Sequence, residues 1–116
     1  MNVLIVDDNQ ALAENLGEFL EDEGHRVRLA DGAEAAMALI GGERVAIDFA
    51  LVDICLGSDD GVELAERLKG ARPGLRLALM TAHSSEGRMS RAEALELGPI
   101  FPKPVPLEAL VRLISP

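Results

Sequence analysis

"NVLIVDDNQA", residues 2–11, decides the fold. Val3, Leu4, Ile5 and Val6 are apolar at every position rather than at alternate ones. That is the pattern of a strand covered on both faces. The strand then surfaces in two adjacent carboxylates, Asp7 and Asp8. Like charges about 4 Å apart repel by roughly 1–4 kcal/mol, depending on the effective dielectric, so their placement needs a reason. One reason is local: Asp8 or Asn9 caps the next helix and Asp7 is a solvated neighbour. The other is a bound cation.

Outward from this stretch, strand and helix patterns alternate. Leu12, Leu16, Phe19 and Leu20 recur at helical spacing, and Gly24 marks the stop. "RVRLA" (26–30) reads as a short alternating strand, and Asp31 with Glu34 as a capping pair for a helix through about Ile40, closed by Gly41-Gly42. "DFALVD" (48–53) is a second apolar strand, and "DGVELAERLKG" (60–70) a helix with an acidic cap and Gly70 at its close. "LRLALMT" (75–81) is a third apolar strand. A weaker helix over about 85–97 carries Gly87 inside it and ends at Gly98-Pro99. "IF" (100–101) is a very short strand, Lys103-Pro104 follows, and Leu107, Leu110, Val111 and Ile114 mark a closing amphipathic helix. Five strand–helix units with short connections predict one three-layer α/β domain over residues 1–116, its parallel sheet covered on both faces. The chain shows no internal repeat or linker.

Composition narrows the function. The 116 residues are 48% hydrophobic, enough for one real core. The net charge of −9, with eleven scattered Lys and Arg, argues against nucleic-acid binding by this domain. No apolar stretch approaches a membrane span, and the start lacks a signal-peptide pattern. A lone Cys55 excludes an intrachain disulfide and fits a reducing compartment, so a cytoplasmic location is expected.

In an open α/β sheet, ligands bind beyond the carboxyl ends of the strands. The residues that end each apolar strand are Asp7-Asp8, Asp53, Thr81 and, past the last strand, Lys103. Each has a bland reading on its own: a turn cap, a β-branched strand residue, a solvated lysine. Together they place three carboxylates, a hydroxyl and an ammonium on one edge. Clustered carboxylates with room for water suit Mg²⁺. A hydroxyl and an ammonium opposite would receive phosphoryl oxygens, and one carboxylate held in line would be a nucleophile.

With "VLIVDDN", "DFALVDICLGSDDGVEL", "LMTAH" and "KP" at 103–104, in that order, the chain resembles the receiver domain of two-component response regulators. The resemblance runs from Asn2 to the final helix. It implies a flavodoxin-like, doubly wound, five-stranded parallel sheet of strand order 2-1-3-4-5, with helices on both faces. It implies that Asp53 is the phosphoacceptor, phosphorylated by a sensor histidine kinase or a histidine phosphotransfer protein. Asp8 and Asp53 match direct Mg²⁺ ligands, Asp7 a carboxylate acting mainly through water, and the backbone carbonyl of Cys55 the remaining protein ligand. Thr81 and Lys103 match the groups that grip the phosphoryl and turn its arrival into a shape change. The implied product is a signalling switch rather than an enzyme, one that assists only its own phosphorylation and dephosphorylation. A downstream effector or a linked output domain would read it, and a phosphorylation-dependent dimer is among the assemblies the family forms. Whether residues 1–116 stand alone or precede an output domain is left open by the sequence.

The chain departs from the family pattern in places. The usual proline four residues past the acceptor is Gly57, which predicts a more mobile loop. The usual aromatic three positions before the lysine is Ile100, while Phe101 lies one register step away and is expected to pack in the core. Only the short stretch 99–102 separates Gly98 from Lys103, so the preceding helix is expected to end late or bend. His25 is read as an exposed turn residue. His83, two residues past Thr81, either borders the site and tunes hydrolysis or is a bystander. No His/Cys spacing supports zinc. Two alternatives stay open. A haloacid-dehalogenase-type phosphohydrolase also uses a strand-end aspartate and Mg²⁺, but would carry Asp-x-Asp-x-Thr where this chain has "DDNQA". A receiver-like interaction module that is never phosphorylated is the other.

Overall fold

A computed structural model describes residues 1–42, 46–82 and 86–114. Its elements in chain order are β1 (Asn2–Val6), α1 (Gln10–Asp22), β2 (Arg26–Ala30), α2 (Ala33–Ile40) and β3 (Phe49–Asp53). A two-stranded ribbon follows, β4 (Cys55–Leu56) with β5 (Asp59–Asp60), then α3 (Gly61–Ala71), β6 (Arg76–Thr81), α4 (Glu86–Ala94), β7 (Ile100–Pro102) and α5 (Leu107–Ile114). The main sheet runs β2-β1-β3-β6-β7 with every pairing parallel. Counted among the strands of that sheet alone, the order is 2-1-3-4-5. The fold is flavodoxin-like α/β.

Alternate residues of each central strand feed two separate cores, which is why those strands are apolar at every position. Val3 and Ile5 join Leu51, Met80, Ala13, Leu20, Leu110 and Ile114, beneath α1 and α5. Leu4 and Val6 join Val52, Leu79, Ala36, Ile40, Leu68 and Ala92, beneath α2, α3 and α4. The four apolar β1 side chains, Val3 to Val6, are fully buried. At about 1.5–3 kcal/mol each, they outweigh a carboxylate repulsion of a few kcal/mol at the strand's end.

Several local expectations are corrected. Leu12 keeps helical spacing but is 42% exposed, because α1 turns Ala13, Gly17 and Leu20 inward instead. Leu107 at the start of α5 is likewise exposed. The Asp31/Glu34 capping pair does not form: α2 begins after Gly32 with no side-chain cap of its own, and Asp59 Oδ2 accepts the Ala33 N–H at 2.9 Å from the ribbon. Gly70 does not close α3, which runs on to Ala71. The helix expected over 85–97 ends earlier, at Ala94, and turns back through Glu96 at φ 51° and Gly98 at φ 148°. Nothing but hydrogen fits at Gly98, where a Cβ would lie 2.0 Å from the Leu77 carbonyl oxygen. His25 is half-buried rather than exposed, and burial lowers its pKa. Ile100 packs with the α2–α4 core and Phe101 with the α1–α5 core, on opposite faces of β7 as the register step requires.

Candidate functional site

The chain passes from β1 to β2 on one side of β1 and then crosses to β3 on the other, so the strand order reverses between β1 and β3. Ligand crevices form at such reversals because the connecting loops diverge there. The carboxyl ends of β1 and β3 carry Asp7 and Asp53, 3% and 4% exposed, and these are the buried charged residues among those described.

Each carboxylate is oriented by its own backbone. Asp7 Oδ1 accepts the Asn9 N–H at 2.9 Å, and the Asn9 side chain in turn accepts the Leu12 N–H at 3.2 Å. The α1 cap is therefore Asn9. Asp8 caps nothing and is exposed. Asp53 Oδ1 accepts the Cys55 N–H at 3.0 Å. Lys103 Nζ lies 2.8 Å from Asp53 Oδ2 and 2.9 Å from Asp7 Oδ2. Its backbone N–H donates to the Thr81 carbonyl at 2.9 Å, which carries the β6–β7 pairing one step past the strand and aims the lysine at the crevice. Thr81 itself ends β6, opposite Pro102 in register. Asp7, Asp8, Asp53, Thr81 and Lys103 all stand at the carboxyl edge of the sheet. His83 lies outside the described residues.

Electrostatics follow from burial and this single ammonium. Burial pushes the Asp53 carboxyl up, and the neighbouring Asp7 charge adds to it; the hydrogen bonds from Lys103 and Cys55 oppose the rise without cancelling it. Burial pulls the Lys103 ammonium down, but hydrogen bonds to Asp53 and Asp7 outweigh that and hold it above its ordinary value. One ammonium thus serves two buried carboxylates while Asp8 adds a third. Asp7, Asp8 and Asp53 each offer an oxygen, all within 4.8 Å of one another. Hard oxygen donors at that spacing, with one exposed side, fit a hard divalent cation.

The ribbon after Asp53 ties this edge to three helices. Gly57 has φ 62°, a conformation closed to proline. The turn joins two paired segments: Cys55 and Leu56 pair antiparallel with Asp60 and Asp59. Asp59 caps α2. Asp60 caps α3 through the Val62 and Glu63 N–H groups and pairs with Arg91 of α4. Although burial raises Asp60, the Arg91 hydrogen bond and those two backbone N–H groups bring it below the ordinary carboxylate value. Arg88 of α4 donates to the Cys55 sulfur at 3.1 Å. Gly61 opens α3 directly against the end of β3, where a Cβ would stand 1.9 Å from the Asp53 carbonyl oxygen. Of these, sequence reasoning found only the acidic cap of α3. The contacts made by Asp59 and Arg88 span 26 and 33 residues and leave no local pattern.

Comparison with known proteins agrees with this geometry. The family model described as "Response regulator receiver domain" matches residues 3–115. A response regulator receiver protein of Anaeromyxobacter sp. (strain Fw109-5) is 34% identical over 110 residues, covering 95% of this chain and 45% of that protein. The chain spans less than half the length of the curated relatives it matches. Among solved structures, a CheY-like receiver domain protein from Methanospirillum hungatei JF-1 superposes with a TM-score of 0.85 at 32% identity, covering 97% of this chain and 89% of that one. A response regulator protein from Burkholderia pseudomallei, solved with a phosphorylated aspartic acid, a calcium ion and citrate, gives a TM-score of 0.84 at 30% identity, covering 98% and 66%.

Proposed function

The chain belongs to the response regulator receiver domain family of two-component systems, and from that membership we propose that its switch is a phosphoryl group accepted by Asp53. The observation that carries this reading is the carboxylate triad at the β1/β3 reversal, with Lys103 shared between Asp7 and Asp53 at 2.9 and 2.8 Å. Asp7 and Asp53 are held alike, each by a backbone N–H on Oδ1 and by Lys103 on Oδ2; it is the match to the receiver family that singles out Asp53 as the acceptor.

In the proposed step a carboxylate oxygen of Asp53 attacks phosphorus, and the bond from phosphorus to the donor's imidazole nitrogen breaks with its electron pair leaving on the imidazole. The product is an acyl phosphate. Lys103, whose ammonium is kept charged by its two partners, then has a phosphoryl oxygen available in place of an Asp53 oxygen. Thr81, at the adjacent strand end, supplies a hydroxyl to the same group. Asp7, Asp8, Asp53 and the Cys55 carbonyl are the residues that would hold Mg²⁺, which when bound neutralises the charge gathered on the phosphoryl oxygens.

Residues 1–116 act in this reading as one receiver unit. The donor is a sensor histidine kinase or a histidine phosphotransfer protein, and an effector or linked output domain reads the result. No helix among the described residues is long and apolar enough to cross a membrane, which is compatible with the proposed cytoplasmic location. Intact-mass measurement after acetyl phosphate and Mg²⁺ tests the assignment. One acid-stable, base-labile adduct is expected, absent from Asp53→Asn; an equal adduct on that variant overturns it. Sustained turnover of phosphate esters would instead favour the phosphohydrolase alternative.

A further inference from the structure

A dianionic phosphodonor approaching Asp53 meets an unfavourable field. The chain carries a net charge of −9, and the crevice itself holds Asp7, Asp8 and Asp53 against one lysine. The cations around this mouth differ in how far their charge is already cancelled. Lys103 is shared by two carboxylates, and Arg91 is paired with Asp60. Arg88 is different. Its guanidinium donates to the sulfur of Cys55, at 3.1 Å, and among the described residues it joins no carboxylate. Cys55 is two residues past Asp53, is exposed, and donates its N–H to the Asp53 carboxylate. A guanidinium that no carboxylate among the described residues cancels is therefore held against Cys55, two residues past Asp53, on the rim of the crevice. Arg91, one helical turn on, fastens the same face of α4 to the ribbon and keeps Arg88 there.

We propose that Arg88 is a specificity-determining residue for the phosphodonor: its charge draws small dianionic acyl phosphates to Asp53. The inference rests on the assignment of Asp53 as phosphoacceptor. The chemistry is the same transfer: an Asp53 oxygen bonds to phosphorus, the phosphorus–oxygen bond to the acyl group breaks, and the carboxylate leaves with the electron pair. Arg88 takes no part in bond making. It raises the local concentration of the dianion, and a planar guanidinium with several donors is suited to phosphate oxygens.

A purely structural role, with Arg88 only strapping α4 to the ribbon, predicts different behaviour. Attraction between a cation and a dianion across a partly solvated gap of several ångströms corresponds to about a three- to tenfold effect on the encounter. It collapses at 1 M salt, where the screening length is about 3 Å. The test measures the second-order rate constant for labelling by acetyl phosphate with saturating Mg²⁺, at low ionic strength and at 1 M salt. Arg88→Ala is expected to lose about three- to tenfold at low salt and to come within about twofold of wild type at high salt. Arg88→Lys should recover most of the loss, and Arg88→Glu should be slower than Arg88→Ala. Arg28→Ala, which removes an exposed cation from edge strand β2, should stay within about twofold of wild type, controlling for net charge. Phosphoramidate, which carries less net negative charge at neutral pH, should show a smaller Arg88 effect. A loss that is equal at both salt concentrations, or is not recovered by lysine, overturns the proposal. So does an Arg88→Ala rate equal to wild type. Failure of the Asp53 assignment looks different: wild type is not labelled at all, or Asp53→Asn is labelled equally.

Discussion

Replacing Asp8 by asparagine removes a charge from a cluster that has too few counter-charges, with almost no change of shape. Its oxygen lies within 4.8 Å of the Asp7 and Asp53 oxygens. It caps nothing and is exposed. At that separation each like pair costs about 0.9 kcal/mol at the dielectric of water and about 1.7 kcal/mol at half that value. Lys103, between Asp7 and Asp53, cancels roughly one of the two neighbours. The net relief in Asp8→Asn is therefore about 1 kcal/mol, which for a domain of this size is a rise in Tm of about 4 °C. Asp53→Asn is the poorer test, because Asp53 is bound to Lys103 and removing its charge loosens the lysine. The chain has neither Trp nor Tyr, so far-UV circular dichroism during heating at low salt in chelator is the suitable assay. Mg²⁺ at a hundred times its Kd should then add about 2.7 kcal/mol to wild type by mass action, and much less to the variant. A variant that melts below wild type in chelator, or that gains as much from Mg²⁺, refutes the reasoning.

Gly61→Ala should be among the most damaging small substitutions, because its Cβ would fall 1.9 Å from a backbone oxygen that cannot swing aside; a loss of about 3 kcal/mol or more is expected in urea unfolding. Asp59→Ala should cost about 1 kcal/mol as a lost helix cap, whereas Asp31→Ala, which caps nothing, should be near neutral; the reverse ranking would restore the local capping pair. For Asp60, whose carboxyl lies below its ordinary 3.8, the native state releases its proton more readily than the unfolded chain. The stability this contributes is present above the unfolded carboxylate range and lost as pH falls through the lowered native value. The stability difference between wild type and Asp60→Asn should thus be level from neutral pH to about pH 5 and shrink below about pH 4; a difference that grows on acidification would contradict the Arg91 pairing.

What the sequence makes legible depends on how far away the deciding contact is. β1, β3 and β6 announce themselves because burial on both faces demands an apolar residue at every position, and the residue that breaks the run marks the strand end. Asp7, Asp53 and Thr81 could be placed at one edge for that reason alone. Lys103 was harder, being set by a backbone hydrogen bond to Thr81 rather than by its own strand. The α2 cap was misassigned because a capping residue is sought next to its helix, and here it comes from 26 positions on. Leu12 keeps the helical spacing and is still exposed, because a helical period fixes spacing, not which of two adjacent stripes turns inward; Ala13 and Gly17 let α1 sit close to the sheet on their side. The ribbon of Cys55–Leu56 and Asp59–Asp60 was invisible, since two-residue strands carry no period at all.

That ribbon also sets what the molecule can report about itself. The first amide of α2 is protected from solvent by Asp59, so its hydrogen exchange measures the opening of a loop that follows Asp53, not the fraying of its own helix. An isotope-exchange trace at Ala33 is in effect a remote gauge of the loop after Asp53, readable without touching any residue of the crevice. Chain length inside the ribbon is constrained for the same reason. One residue inserted between Leu56 and Asp59 would move the Asp59 and Asp60 carboxylates together, so α2, α3 and α4 would lose register with the crevice in a single event.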